Sequence, residues 1–131
     1  MTYLLDTDIC IGVLRQKPGM VEKLSRLAPA DVAVSMVTVY ELFCGVEKAG
    51  DPAGERAKVE RFISAIVELP LERVAAQTAA QVRAELERQG TGIGPYDLLI
   101  AGQALASNLT LVTGNLAEFR RVPGLKIESW T

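Results

Sequence analysis

Four polar residues interrupt sequence that is otherwise apolar, and their types fix the chemistry to be considered. Asp6 ends the run Tyr3-Leu4-Leu5, Glu41 sits among Val39, Leu42 and Phe43, Asp97 opens Leu98-Leu99-Ile100-Ala101, and Asn115 follows Leu109-Thr110-Leu111-Val112-Thr113. Three are carboxylates, and a cluster of carboxylates without basic partners repels itself unless protons or cations neutralise it. The chain contains no histidine. A Ser-His-Asp triad, a Cys-His pair and a His-based metal-free ribonuclease are therefore excluded. A histidine-containing zinc site is excluded too, and Cys10 and Cys44 are too few for an all-thiolate one. A hydrolase built from this inventory has carboxylates and a hard cation as its tools, which points to Mg2+ or Mn2+ held by oxygen. Such an ion lowers the pKa of a bound water and balances charge developing on a phosphate.

For the four to meet, strand ends and helix starts must share one edge of a sheet, and the order of elements allows it. Tyr3–Leu5 reads as a buried strand with Asp6 at its carboxyl end, where ligands gather in open α/β sheets. A first helix is expected from Asp8, whose side chain can cap it, to just before Pro18-Gly19. A second, from Met20 to about Leu27, places Met20, Val21, Leu24 and Leu27 on one face. Val32–Ser35 is a short strand, and Ser35 or Thr38 caps a helix from Val37 to about Lys48 that carries Glu41. The turn Gly50-Asp51-Pro52-Ala53-Gly54 leads into a helix from about Glu55 to Ile66. Val67–Pro70 is a possible short strand. An Ala-rich helix from Leu71 to Gln89 turns Val74, Ala75, Thr78, Val82 and Leu86 inward, with Glu85, Glu87 and Arg88 on its solvated face. The glycines of Gly90-Thr91-Gly92-Ile93-Gly94-Pro95 make a loop that must bend or approach something closely. Pro95 suits the first turn of the helix through Ala106 that contains Asp97. Strands over 109–113 and 125–128 complete the pattern. Strands alternating with helices predict an α/β fold, a three-layer α/β/α sandwich on a mainly parallel sheet.

At 131 residues, 49% of them hydrophobic and 23% charged, the composition is that of a single globular domain spanning 1–131. No apolar stretch is long enough for a transmembrane helix and no signal peptide pattern opens the chain, so a cytoplasmic home without a membrane partner is expected. Cys10 and Cys44 read as small buried thiols rather than a disulfide. A net charge of −2 gives no basic footprint of a stand-alone nucleic-acid binder. It leaves room for a nucleic-acid enzyme whose ion or local basic clusters offset an acidic site.

Each of the four polar residues also has a plain structural reading. Asp6 could cap the first helix, Glu41 could pair with Lys48 or an arginine, Asp97 could complement a helix dipole, and Asn115 could be a turn residue. The order of short motifs weighs against all four being structural. Leu4-Leu5-Asp6-Thr7, Val34-Ser35, Thr38, Glu41-Leu42 and Gly45 are followed by Gly92-Ile93-Gly94-Pro95, Asp97 and Leu99-Ile100-Ala101. Leu111-Val112-Thr113, Asn115, Glu118-Phe119 and Val122-Pro123-Gly124-Leu125 complete the series. The chain resembles, over nearly its whole length, the PIN-domain ribonucleases of the VapC type, toxins of type II toxin–antitoxin pairs.

That resemblance implies a PIN-like fold and a metal-dependent endoribonuclease cleaving RNA phosphodiester bonds, often in tRNA. The Gly-Ile-Gly-Pro and Arg-Val-Pro-Gly-Leu pieces resemble a subgroup that cuts initiator tRNA. By the same resemblance Asp6 and Asp97 hold Mg2+ or Mn2+, Glu41 positions or deprotonates water, and Asn115 orients water or phosphate where many relatives carry Asp. Thr7 and Thr113 would be supporting hydroxyls, and Asp8 would cap the helix or reach the ion through water. A VapB-type antitoxin, a homodimer, and operator DNA reached only through the antitoxin complex are the implied partners. Two rivals use the same residues differently. A haloacid-dehalogenase-type phosphatase would use Asp6 and Asp8 as nucleophile and acid/base, but needs a later acidic pair where Thr113-Gly114-Asn115 stands. A catalytically silent PIN protein would only bind antitoxin and DNA.

Overall fold

A computed structural model describes residues 1–130. Five short strands form one sheet: β1 (Tyr3–Leu5), β2 (Val32–Ser35), β3 (Val67–Leu69), β4 (Thr110–Val112) and β5 (Ile127–Glu128). Their order across the sheet is β3-β2-β1-β4-β5, and every pairing is parallel, with Leu5 opposite both Val34 and Val112. The helices are α1 (Thr7–Leu14), α2 (Pro18–Ser25), α3 (Met36–Glu47), α4 (Pro52–Ser64), α5 (Arg73–Arg88), α6 (Pro95–Ala106) and α7 (Leu116–Phe119). Side chains alternate across a strand, so Leu4 and Leu5 enter different cores. Leu5, Val32 and Val34 pack with Ile9, Leu42, Val46 and Val59 of α1, α3 and α4. Leu4, Ala33 and Leu111 pack with Val82, Leu86, Leu98 and Ile100 of α5 and α6. The expected three layers follow from that partition.

The topology places the site. From β1 the chain adds β2 and β3 on one side, then returns to the other side of β1 with β4 and β5. The switch lies between β1 and β4, and a crevice opens there beyond the carboxyl ends of the strands. Asp6 and Thr113 are the residues that follow those two strands.

Several boundaries differ from expectation, each for a local reason. Asp8 does not cap α1: the cap is Asp6, whose Oδ1 accepts the Thr7 amide at 2.8 Å. Ser35, not Thr38, caps α3 through the Val37 amide at 2.9 Å. Helices α2 and α4 begin at Pro18 and Pro52, because proline's fixed φ suits a first helical position. Val21 and Val74 point outward, Val74 at 58% exposure, since Ala75, Ala79, Val82 and Leu86 already fill the contact face of α5. The glycine loop begins as a Schellman turn: Gly90 adopts φ +69°, its amide donates to Glu87 O and the Thr91 amide donates to Leu86 O. Cys10 and Cys44 are both free, Cys10 buried and Cys44 half-buried. Among the described residues, no helix is long and apolar enough to cross a membrane.

Candidate active site

The site grows from Asp6, which is 6% exposed. One carboxylate oxygen takes the Thr7 amide, and the other takes the Thr113 hydroxyl at 2.8 Å. Thr113 also accepts the Asn115 amide at 3.0 Å, so the end of β4 and the loop beyond it are tied to the end of β1. Burial pushes Asp6 up to about 6; the Thr113 hydroxyl pulls it down, the Asp8 charge pushes it up, the Thr7 amide pulls down and the Glu41 charge pushes up. Asp8, which does not cap α1, takes up the loop after β4 instead. Its Oδ2 accepts the Gly114 amide at 2.9 Å, which clips the β4–α7 loop. A Cβ on Gly114 would lie 2.7 Å from that oxygen, so glycine is what lets the clip close.

Glu41 projects from α3 toward α1. Its Oε1 accepts the Thr7 hydroxyl at 2.7 Å, and that hydroxyl also lies 3.0 Å from Thr38 Oγ1. Asp97 lies in the first turn of α6, half-buried. Burial is the main force raising it to about 7, followed by a hydrogen bond with Glu118 and by the charges of Asp6, Glu118 and Glu41. Asp6, Glu41 and Asp97 therefore feel one another's charge, as three separate elements bring them to one edge.

Glu118 is the residue that sequence reasoning left without a role. Its Oε1 accepts the Gly94 amide at 3.1 Å, and its Oε2 accepts the Asn115 side-chain amide at 2.6 Å. Burial works against its charge but is outweighed by the hydrogen bond from Asp97, then by Gly94, Asn115 and Arg121, so it stays below the usual glutamate range. The interaction raises Asp97 and lowers Glu118, so of the two Asp97 is the more readily protonated. The sequence carried a signal for this. Asn115 is the N-cap of α7 and Glu118 stands three residues on, the spacing at which a cap and an acid reach each other. Asn115 is exposed and directed at Glu118.

Among the described residues, no Lys or Arg forms an ion pair with Asp6, Glu41 or Asp97. Glu41 accordingly does not pair with Lys48. Nor are three acids or thiols drawn together among the described residues into a ready-made metal cage. The donors present are the carboxylates of Asp6 and Asp97, of the kind a magnesium-type ion takes one or two of, completing its octahedron with waters and substrate phosphate. Oxygen-only donors, with raised carboxylates that a cation would neutralise, are the matching chemistry.

Comparison with known proteins decides the family. The PIN domain model matches residues 3–125. The tRNA(fMet)-specific endonuclease VapC of Salmonella typhimurium is 42% identical over 99% of this chain and 98% of its own. This chain belongs to the VapC-type PIN-domain family. Ribonuclease VapC2 of Rickettsia felis is 36% identical over 99% of this chain and 98% of its own. The crystal structure of DNA-bound VapBC from Salmonella typhimurium superposes with a TM-score of 0.95 at 41% identity, covering 100% of this chain and 99% of that one. Family membership removes the phosphatase rival, for which Asp8 would have to reach substrate rather than hold the Gly114 amide.

Proposed function

We propose that this chain is the toxin of a type II toxin–antitoxin pair, a Mg2+- or Mn2+-dependent endoribonuclease acting on tRNA in the cytoplasm. The observation that carries the reading is Asp6: a buried carboxylate at the topological switch, without a basic partner among the described residues, raised by the charge of Glu41 and itself raising Asp97. The activities for which the relatives are named support hydrolysis of RNA, and the relative named for tRNA(fMet) makes initiator tRNA the first substrate to try.

Asp6 and Asp97 would hold the ion, which when bound supplies an acidified water and positive charge for the scissile phosphate. Asp6 is fixed for this by Thr7 and Thr113, which leave its rotamer no freedom. Asp97 would have to be ionised to hold the ion, and Glu118, no longer bonded to the Asp97 proton, would keep the Gly94 and Asn115 amides as donors. Glu41, fixed at Oε1 by Thr7, would accept the proton of the attacking water at its other oxygen. Asn115 acts through Glu118, holding it by one oxygen while Gly94 holds the other.

A VapB-type antitoxin is the proposed partner, with operator DNA bound through the complex. A cleft of about 370 Å3 between α1, α3 and α4, lined by Ile11, Leu14, Leu42 and Val59, with Glu41 and Glu55 as acids and Arg15 and Lys58 as bases, suits an apolar segment whose basic residue is directed to Glu41. A homodimer would cover Met36, Tyr40, Leu71, Val74 and Tyr96, exposed apolar side chains on another face. Tyr40 and Tyr96 meet there edge to face at 5.8 Å.

The test is cleavage of purified initiator tRNA by the purified toxin with Mg2+ or Mn2+. Asp6→Asn and Asp97→Asn are each expected to abolish cleavage while antitoxin binding persists. Cleavage at the wild-type rate by both variants would refute the site.

A further inference from the structure

Thr38 is buried on α3, one turn before Glu41, and Ser35 already caps that helix. A helical threonine ordinarily bonds back to its own preceding turn, whereas the Thr38 hydroxyl reaches across to α1. Its Oγ1 lies 3.0 Å from Thr7 Oγ1. Each hydroxyl has one proton, and an ionised carboxylate only accepts. Thr7 gives its proton to Glu41 Oε1 at 2.7 Å, so in the bond between the two hydroxyls Thr38 must be the donor. Donor count alone fixes the order Thr38 to Thr7 to Glu41. In a low-dielectric setting each bond of such a chain polarises the next.

We infer that Thr38 is a positioning residue of the hydrolytic site, whose buried hydroxyl holds Thr7 as the donor to Glu41 Oε1 and so leaves Glu41 Oε2 to face the reacting water. This rests on the role proposed above for Glu41. The chain spans α1 and α3 and ties the rotamer of the water-activating carboxylate to the residue that follows Asp6.

Valine keeps the shape of threonine and removes the hydroxyl, whereas serine keeps the hydroxyl and removes the methyl. A hydroxyl role and a packing role therefore predict opposite orders. Thr38→Val is expected to lower kcat about three- to tenfold, the effect of one net hydrogen bond, with KM within about twofold. Thr38→Ser is expected to recover most of that rate. In the metal-free protein, three-bond couplings to the Thr7 methyl should report one χ1 rotamer for wild type and Thr38→Ser, and averaging for Thr38→Val. A wild-type kcat or an unaltered Thr7 rotamer in Thr38→Val, or an equal loss in Thr38→Ser, overturns the inference. If Thr38→Val does not fold, Thr38→Ala against Thr38→Ser makes the same comparison, since they differ only in the hydroxyl. An inactive Asp6→Asn beside a fully active Thr38→Val would remove this inference alone, whereas a fully active Asp6→Asn would remove the site itself.

Discussion

Replacing Asp6 by Asn should make the metal-free protein more stable at neutral pH while destroying the proposed activity. Burial, with the charges of Asp8 and Glu41, outweighs the hydrogen bonds from Thr113 and Thr7 and lifts Asp6 from 3.8 to about 6. At about 1.4 kcal/mol per pKa unit, ionising this carboxyl costs the folded state up to about 3 kcal/mol. The folded chain keeps its proton to higher pH than the unfolded chain, so between about pH 4 and pH 6 it binds more protons. Stability therefore falls as pH rises through that window, and the full cost is present above it. Asn is uncharged at every pH, keeps an oxygen for the Thr7 amide, and presents an amide that the Thr113 hydroxyl can accept.

At pH 8 in EDTA the variant should be more stable by about 1–3 kcal/mol, a rise in Tm of roughly 4–10 °C for a chain of this size. At pH 4.5 most of that advantage should vanish, because wild-type Asp6 is then protonated. Melts followed by circular dichroism at the two pH values decide the matter. A variant less stable than wild type at pH 8, or equally advantaged at both pH values, would refute the electrostatic account of the site.

Two further outcomes follow from particular contacts. Glu118 raises Asp97 both by hydrogen bonding and by charge, so Glu118→Gln should move the Asp97 titration down from about 7 in carboxyl-carbon NMR of the metal-free protein; an unchanged midpoint would mean the two do not interact. Gly102 lies where α6 crosses α5, and a Cβ there would stand 2.7 Å from both Ala75 O and Ala79 Cβ. Backbone cannot yield as a side chain can, so Gly102→Ala should destabilise by about 1–3 kcal/mol in urea unfolding, and a change below about 0.5 kcal/mol would show that α5 and α6 separate freely.

What could be read from the sequence was whatever depended on period and on strong punctuation. The apolar runs at 3–5, 32–35 and 109–113, with a polar residue ending each, gave strands whose carboxyl ends meet, and the missing histidines narrowed the chemistry to carboxylates and a cation. What could not be read depended on tertiary choice between similar groups. Asp6 and Asp8 both suit a helix cap, as do Ser35 and Thr38, and only the packing of β4 beside β1 assigns Asp8 to Gly114, and that of β2 beside β1 assigns Thr38 to Thr7. Val74 and Ala75 are equally apolar in a helical pattern, but the close approach of α5 to α6 admits the smaller residue. The Asn115–Glu118 spacing was local and legible, whereas the contacts of Glu118 with Gly94 and Asp97 span more than twenty residues and were not.

Glu118 also bears on Asn115, whose side-chain amide carries no charge of its own. Here the amide donates to a carboxylate one helical turn further along, which the Gly94 amide orients and Asp97 protonates against. The negative charge beside Asn115 thus sits on α7, where, with burial, it raises Asp97 to about 7. Asp6 and Asp97, the two proposed ligands, are also the two carboxyls of the site lifted furthest, to about 6 and about 7. Protons must leave both as an ion binds, so affinity for the ion should rise with pH across that range. The burial and repulsion that weaken the metal-free fold are what a divalent cation would relieve, and this explains why one substitution, Asp6→Asn, is expected to strengthen the protein and silence it together.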